Sequence, residues 1–278
     1  SLMIFAAIIT TLTLIVLIVA SYTDLKTREV PDWISYALMI SALAIRAIFS
    51  VTEGWEILVS GILGFAICIG LAFFFYYTNQ WGGADSKLLM GMGAVIGITI
   101  PFDSSSFTLL WFFLGLLLIG TVYGMGWMGY LAIKKHYKFL PVFKQKFKKH
   151  RKYLIPVIAI KLVFVIITVF YPFAWPFIPI PLLLFIIFLF INSVEHSCFH
   201  KKVKTKNLTE GDWLAEQVIV KNKQLMKKKT LVAKDIALLQ KKVKEVTIKE
   251  GIPFIPSFLL TYITLFIVQK FFPFVIPF

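Results

Sequence analysis

Two aspartates, Asp24 and Asp85, occupy matching places in the sequence, each beside a long apolar segment. A carboxylate near hydrocarbon is costly unless it is paired or takes part in chemistry, so two such groups at one membrane face indicate a shared catalytic site. Adjacent carboxylates can activate water for peptide hydrolysis, because an ionised one takes a proton from water while a protonated one polarises the carbonyl. This chemistry needs no metal and no cofactor.

Each aspartate alone also has an ordinary structural explanation. Asp24 is equally well explained as an interfacial acid balanced by basic neighbours, and Asp85 as a turn residue next to Lys87. Asp32 is a rival for the first catalytic role. The catalytic interpretation therefore depends on the sequences around both acids.

Apolar segments make up most of the chain, which is 59% hydrophobic with a mean hydropathy of +0.83. Runs of roughly 20 apolar residues match the thickness of a bilayer. Eight runs reach or approach this length: 2–21, 33–50, 56–78, 88–101, 106–133, 153–171, 176–193 and 254–272. We predict an all-α polytopic membrane protein with eight spans, or six if the prolines of 153–193 prevent a full hairpin.

Basic residues are concentrated in two blocks, and the formal charge of the chain is +15. Residues 134–152 hold nine Lys or Arg and no acid, and residues 201–249 hold fourteen Lys. Lys and Arg beside spans resist translocation, so both blocks are predicted to be cytoplasmic. Counting spans back from 134–152 places Asp24 and Asp85 at the cytoplasmic face of the plasma membrane. Aromatic residues are nearly absent between residues 200 and 250, which argues against nucleic acid binding.

A polar stretch at 195–252 interrupts the apolar pattern and is predicted to be a small α+β cytoplasmic domain. Gly211-Asp212 marks a turn near a short strand, and apolar residues recur at helical spacing from Ile236 to Val246. The predicted organisation is a catalytic transmembrane core, a basic loop, a transmembrane hairpin, this domain and a C-terminal span, at 1–133, 134–152, 153–194, 195–252 and 253–278.

Glycines and one arginine stand out within the apolar segments. Most of the glycines are predicted to allow close helix packing. Gly82 and Gly83 differ, since they lie beside Asp85 in a break between apolar runs, where backbone freedom and close substrate approach are both useful. Arg46, near the outer end of its span, is predicted to extend to the membrane surface.

The cysteines do not indicate a metal site. Cys68 and Cys198 are too few for a disulfide framework or a four-thiolate zinc site. His196 and His200 flank Cys198, but no fourth ligand is evident. No metal is therefore predicted.

The sequences around the two aspartates resemble a known pair of motifs. Residues 23–33 (TDLKTREVPDW) and 82–94 (GGADSKLLMGMGA) resemble the two signature regions of the type IV prepilin peptidases, membrane aspartyl proteases of the GxGD class. The resemblance covers about the first 135 residues. The chain departs from the family pattern at Ala84, where the family has Gly.

This resemblance implies a function and a set of site residues. Asp24 and Asp85 would be the catalytic dyad, with Asp24 favoured over Asp32. The substrates would be pilin or archaellin precursors, which lose a short basic leader at the cytoplasmic membrane face. The candidate substrate contacts are the residues around the second acid: Gly82, Gly83, Ala84 and Lys87.

Two further features narrow the branch of the family. Bacterial members commonly carry a four-cysteine zinc domain and also N-methylate the new terminus, whereas this chain lacks those cysteines and an early soluble insertion. It resembles the archaeal kind, a peptidase without methyltransferase activity. Residues 249–256 (KEGIPFIP) also resemble the C-terminal region of archaeal prepilin or preflagellin peptidases.

A different class of protein stays open at this point. Acids within membrane segments and glycine-broken helices also build transporters and channels. That alternative predicts acids near the middle of the membrane, whereas Asp24 and Asp85 fall at span ends. The sequence makes no prediction about oligomeric state.

Overall fold

The computed structural model describes residues 2–78, 80–220, 223–227 and 229–271, and this part of the chain is mostly helical. It contains ten α-helices: α1 Leu2–Thr27, α2 Asp32–Glu53, α3 Glu56–Tyr77, α4 Gly83–Ile96, α5 Thr108–Lys134, α6 His136–His150, α7 Leu154–Phe170, α8 Ile180–Cys198, α9 Ala233–Lys242 and α10 Ile255–Phe271. Five strands lie between α8 and α10: β1 His200–Lys204, β2 Trp213–Leu214, β3 Val218–Val220, β4 Lys223–Met226 and β5 Glu245–Lys249.

Six helical segments within the described residues are long and apolar enough to cross a membrane: Leu2–Thr27, Asp32–Glu53, Glu56–Tyr77, Ser104–Lys134, His136–Phe170 and Pro172–Cys198. The other two predicted runs fold as α4, with 14 residues, and α10, with 17. At 1.5 Å per residue, α4 is about 21 Å long, which is short of a hydrocarbon core of about 30 Å. A mostly helical polytopic membrane protein is confirmed, with six candidate spans and two shorter apolar helices among the described residues.

The chain divides into two compact units. One comprises Ser1–Met125 and Ile252–Phe278, and the other comprises Gly126–Gly251. The first unit contains both aspartates and also the last helix, α10. Its core consists of buried apolar side chains from α1 to α5 and α10, including Leu17, Leu38, Leu88, Phe112 and Phe258.

The α3–α4 interface of the first unit depends on glycine. A Cβ on Gly64 would collide with the carbonyl oxygen of Gly93, and one on Gly93 would collide with the carbonyl oxygen of Gly64. Gly97 ends α4 with a φ of +71° and lies against Ser60. Backbones this close pack by direct van der Waals contact, as is typical of membrane helices that carry small residues.

Arg46 of α2 binds the C-terminal end of α4. Its guanidinium donates to the carbonyl oxygens of Ala94 (2.8 Å), Val95 (2.7 Å) and Ile96 (3.0 Å), and also to the carbonyl of Ile57 (2.8 Å). The prediction that Arg46 extends to the membrane surface was wrong, since the residue is only 5% exposed. The last carbonyls of a helix lack intrahelical partners, and the five N–H donors of arginine supply them here.

The second unit begins with a helical layer. Residues 136–150 form α6 rather than a loop, and α6 packs on α8 through the Phe139–Phe190 ring pair and a 2.6 Å hydrogen bond from Lys146 to Asn192. Helix α7 also packs on α8. The turn between them, Pro172–Phe177, is a 3₁₀ segment that begins with proline.

The strands of the second unit form the predicted small α+β insertion. An antiparallel sheet has the order β1-β5-β2, and β3 and β4 form a separate antiparallel pair. Leu214, Leu239 and Ile248 lie in its small apolar core. The helical spacing extends less far than predicted, because α9 ends at Lys242 and Val246 belongs to β5.

Candidate active site

Asp24 lies near the C-terminal end of α1 and is only 7% exposed. Helix α1 ends at Thr27, because Arg28 has a left-handed φ of 63° and Pro31 follows soon after. The carboxylate Oδ2 of Asp24 accepts a 3.0 Å hydrogen bond from the backbone N–H of Ile255, at the start of α10. The positive charge of Arg28 also acts on Asp24.

Asp85 lies in the first turn of α4, outside the six full-length spans. Its Oδ2 accepts a 3.2 Å hydrogen bond from the N–H of Gly82, which satisfies one of the free donors at the helix start. The residue is partly exposed, whereas Asp24 is buried.

The two carboxyl groups interact with each other. Burial, and then the negative charge of Asp24, raise the pKa of Asp85 to about 7, against a smaller lowering by the Gly82 N–H. Two neighbouring carboxylates resist simultaneous ionisation, so such a pair holds one proton across a range of pH. The charge of Asp24 also reaches the hydroxyl of Tyr123 on α5, a residue that the sequence did not indicate.

Asp32 is placed differently. Its carboxylate forms a 2.6 Å ion pair with Lys87, and 59% of its side chain is exposed. Lys87 also lies over the ring of Tyr36, with its nitrogen 5.6 Å from the ring centroid. The structure thus brings Asp24 close to Asp85. Asp32, the rival of Asp24 for the first catalytic role, is instead paired with Lys87.

The small residues before Asp85 form the start of α4. Gly82 has extended backbone angles, while Gly83 and Ala84 are the first helical residues. A Cβ on Gly83 would approach only the ring of Tyr76, at 3.9 Å, so the space above this residue is open. Ala84 packs partly against the core, so an alanine is accommodated where the family has glycine.

An aromatic cluster connects the start of α4 with the start of α10. The ring of Trp81 stacks on Phe75 with 4.7 Å between centroids, and it also contacts Phe254 (5.7 Å) and Phe258 (6.0 Å). Phe254 lies over Gly120 of α5, where a Cβ would be only 2.7 Å from the ring. The candidate site is therefore built from α1, α4 and α10, and the part played by α10 was not predicted.

Comparisons with known proteins match part of this chain. Residues 11–125 match the model of the type IV leader peptidase family. The preflagellin peptidases of Methanocaldococcus jannaschii and Methanococcus voltae are 36% and 37% identical to this chain over 81 residues, which is 29% of this chain and 34% of each relative. That of Methanococcus maripaludis is 34% identical over 96 residues, which is 34% of this chain and 41% of the relative.

These alignments span 34 to 41% of the relatives' own length, so the similarity concerns one part of each protein. The family model, at residues 11–125, covers most of α1, all of α2 to α4 and most of α5, and with them Asp24 and Asp85. Residues 11–125 of this chain are therefore similar to the type IV leader peptidase family.

Proposed function

We propose that the protein is a membrane-embedded aspartyl endopeptidase that removes the short N-terminal leader from type IV pilin-like or archaellin precursors. The observation that carries this proposal is the electrostatic interaction between Asp24 and Asp85, two carboxyl groups from different helices in a segment of leader peptidase type. The relatives named above are preflagellin peptidases, which supports precursors of this class as substrates.

The proposed reaction is hydrolysis by a water molecule held between the two acids. One carboxylate takes a proton from the water, and the other, protonated, donates to the carbonyl oxygen of the scissile peptide. The pKa of Asp85 is raised to about 7, so this group keeps its proton in acid up to nearly neutral pH. No step of this reaction involves a metal or an organic cofactor.

The substrate is proposed to enter beside the start of α4. The peptide bonds of a precursor helix are hydrogen-bonded to one another, so the helix must unwind locally before a bond can be cut. Open space above Gly83 and the extended backbone of Gly82 give room for an unwound strand next to Asp85. Ala84 and Lys87 complete the proposed contact surface.

The active site is proposed to face the cytoplasm, with the protein in the plasma membrane. The nine Lys or Arg of residues 134–152 support this orientation, because such blocks resist translocation. We also propose that the enzyme lacks N-methyltransferase activity, in keeping with its resemblance to the archaeal branch.

Three matched substitutions test this function. We expect the wild-type protein, in detergent or liposomes, to shorten an archaellin or pilin precursor, as measured by gel and mass spectrometry. Asp24→Asn and Asp85→Asn should each slow cleavage by about 100-fold or more, since each removes a proton-transfer group. Asp32→Asn is the control, because it changes the same functional group at an exposed ion pair and should stay within about threefold of wild type.

Two outcomes would contradict the proposal. Cleavage by Asp24→Asn together with loss of cleavage in Asp32→Asn would move the first catalytic role to Asp32. Failure of the wild-type protein on several precursors would favour the transporter alternative or a role in pilus assembly.

A further inference from the structure

The hydrogen bond between Ile255 and Asp24 joins residues that are far apart in the sequence. The backbone N–H of Ile255 is the first of α10, a helix of 17 residues, and it points at the carboxylate of α1 from 3.0 Å. Ile255 is 1% exposed and Asp24 is 7% exposed, so water does not compete for this bond. A carboxylate at a helix N-terminus is stabilised as an anion by the N–H donor and by the helix dipole.

Packing holds this N–H in place. Phe254, the residue before it, lies over Gly120 and accepts a 3.0 Å hydrogen bond from the N–H of Ser257 through its carbonyl oxygen. Phe258, one turn into α10, is fully buried and contacts Trp81. The start of α10 is therefore held in place by Gly120 of α5 and by Trp81, which directly precedes Gly82.

The surroundings of the two acids differ in a way that bears on their charge. Asp24 faces the N-terminal end of another helix, the positive charge of Arg28, the hydroxyl of Tyr123 and the carboxyl of Asp85. Asp85 accepts one longer hydrogen bond, from Gly82 at the start of its own helix, and faces the charge of Asp24. The repulsion between the two carboxyl groups is mutual, whereas the shorter hydrogen bond and the charge of Arg28 favour the anion at Asp24.

We infer that Asp24 is the ionised, water-activating member of the pair, that Asp85 is the protonated member, and that the backbone N–H of Ile255 is the positioning group that holds Asp24 in this role. The inference rests on the proposed peptidase function and adds the roles of the two acids and the contribution of α10. It gives α10 a part in the chemistry through a backbone atom.

The reaction balances with these roles. Asp24 takes one proton from water, the resulting hydroxide adds to the carbonyl carbon, and the carbonyl oxygen takes the proton of Asp85 to give a tetrahedral diol. Asp24 then passes its proton to the amide nitrogen as the C–N bond breaks, and one diol hydroxyl returns its proton to Asp85. The products are a carboxylic acid and an amine, and both aspartates are back in their starting forms.

The test removes the N–H and keeps the helix start. Ile255→Pro deletes only the donor from the backbone, and proline is well accommodated at the first position of a helix. Ile255→Ala is the matched control, because it shortens the buried side chain and keeps the N–H. The measurement is the pH profile of kcat/KM for cleavage of a precursor, whose acid and alkaline limbs report the base and the acid of the free enzyme.

We expect Ile255→Pro to move the acid limb upward by about one pH unit relative to Ile255→Ala, with the alkaline limb in place. Loss of the donor destabilises ionised Asp24, whereas it leaves the deprotonation of Asp85 unchanged. Two results would overturn the inference: superimposable profiles for the two variants, or a shift of the alkaline limb alone. The second result would mean that Asp24 carries the proton.

A second variant covers the case in which Ile255→Pro does not fold. Incorporation of the α-hydroxy analogue of isoleucine at position 255 replaces the N–H by an ester oxygen and leaves the side chain intact. The same shift of the acid limb is expected, and an unshifted profile would overturn the inference. Activity of the wild-type enzyme is measured in parallel, so a failure of the peptidase function itself would show as absent cleavage before any profile is compared.

Discussion

Replacing Arg46 by methionine should destabilise the first unit strongly. The substitution removes the donors to the carbonyls of Ala94, Val95 and Ile96, the last three of α4. A buried carbonyl left without a partner costs about 1 to 3 kcal/mol, so the three together predict a loss of at least about 3 kcal/mol. That is a large share of the roughly 5 to 15 kcal/mol that stabilises a typical protein.

Arg46→Met should also reduce activity, since α4 carries Asp85 at its other end. Arg46→Lys should lie between methionine and wild type, because an ammonium has fewer donors and cannot span three carbonyls. Arg151→Met is the matched control: Arg151 is exposed, and its loss should change stability by no more than about 0.5 kcal/mol.

Equilibrium unfolding of the purified protein in mixed micelles, followed by tryptophan fluorescence, measures the free energy of unfolding of each variant. Cleavage of a precursor at saturating concentration is measured on the same samples. If Arg46→Met were as stable and as active as Arg151→Met, the account of α4 as a short helix completed by Arg46 would be refuted.

Two further predictions concern packing and pH. Gly64→Ala should destabilise the protein by about 1 to 3 kcal/mol, because the new methyl group meets the carbonyl of Gly93, whereas Gly70→Ala, with open space around it, should be neutral or slightly stabilising. Equal unfolding free energies for these two variants would contradict the close α3–α4 contact. The pKa of Asp85 is raised from 3.8 to about 7, so native Asp85 holds a proton that the unfolded chain releases between these values, and stability should fall as pH rises through this range. Asp85→Asn should lack that part of the pH dependence, and an identical decline in the variant and the wild type, measured between about pH 4 and pH 8, would contradict the assignment.

Local patterns in the sequence were sufficient to predict the helical membrane architecture and the small α+β insertion. Apolar runs of span length predict membrane helices from composition alone. The polar stretch after α8 is recognised as a separate insertion because it lacks such runs. The candidate acids could be named because their flanking motifs are specific. The distance between their carboxyl groups could not be predicted, because two spans separate the two acids in the chain.

The contacts of Arg46 and Ile255 escaped prediction for a physical reason. The expectation that an arginine extends to the membrane surface considers one helix and the lipid around it. Three acceptors of Arg46 lie on α4, whose last carbonyls lack partners within the helix, and a fourth lies on α3. The donor to Asp24 is a backbone N–H, which every residue except proline has, so no side-chain pattern indicates it.

The short helix α4 fixes a spacing in the sequence. One end of it is held by Arg46 at Ala94, and Asp85 lies nine residues before that point, at the other end. Each residue added to or removed from this stretch would turn Asp85 by about 100° about the helix axis and move it by about 1.5 Å along it. An insertion in a connecting loop can leave the position of Asp85 unchanged. An insertion within α4 cannot, because the helix is held at its far end and the whole rotation and shift occur at the carboxylate. The number of residues between Asp85 and Ala94 is therefore as closely tied to the chemistry as the identity of the aspartate itself.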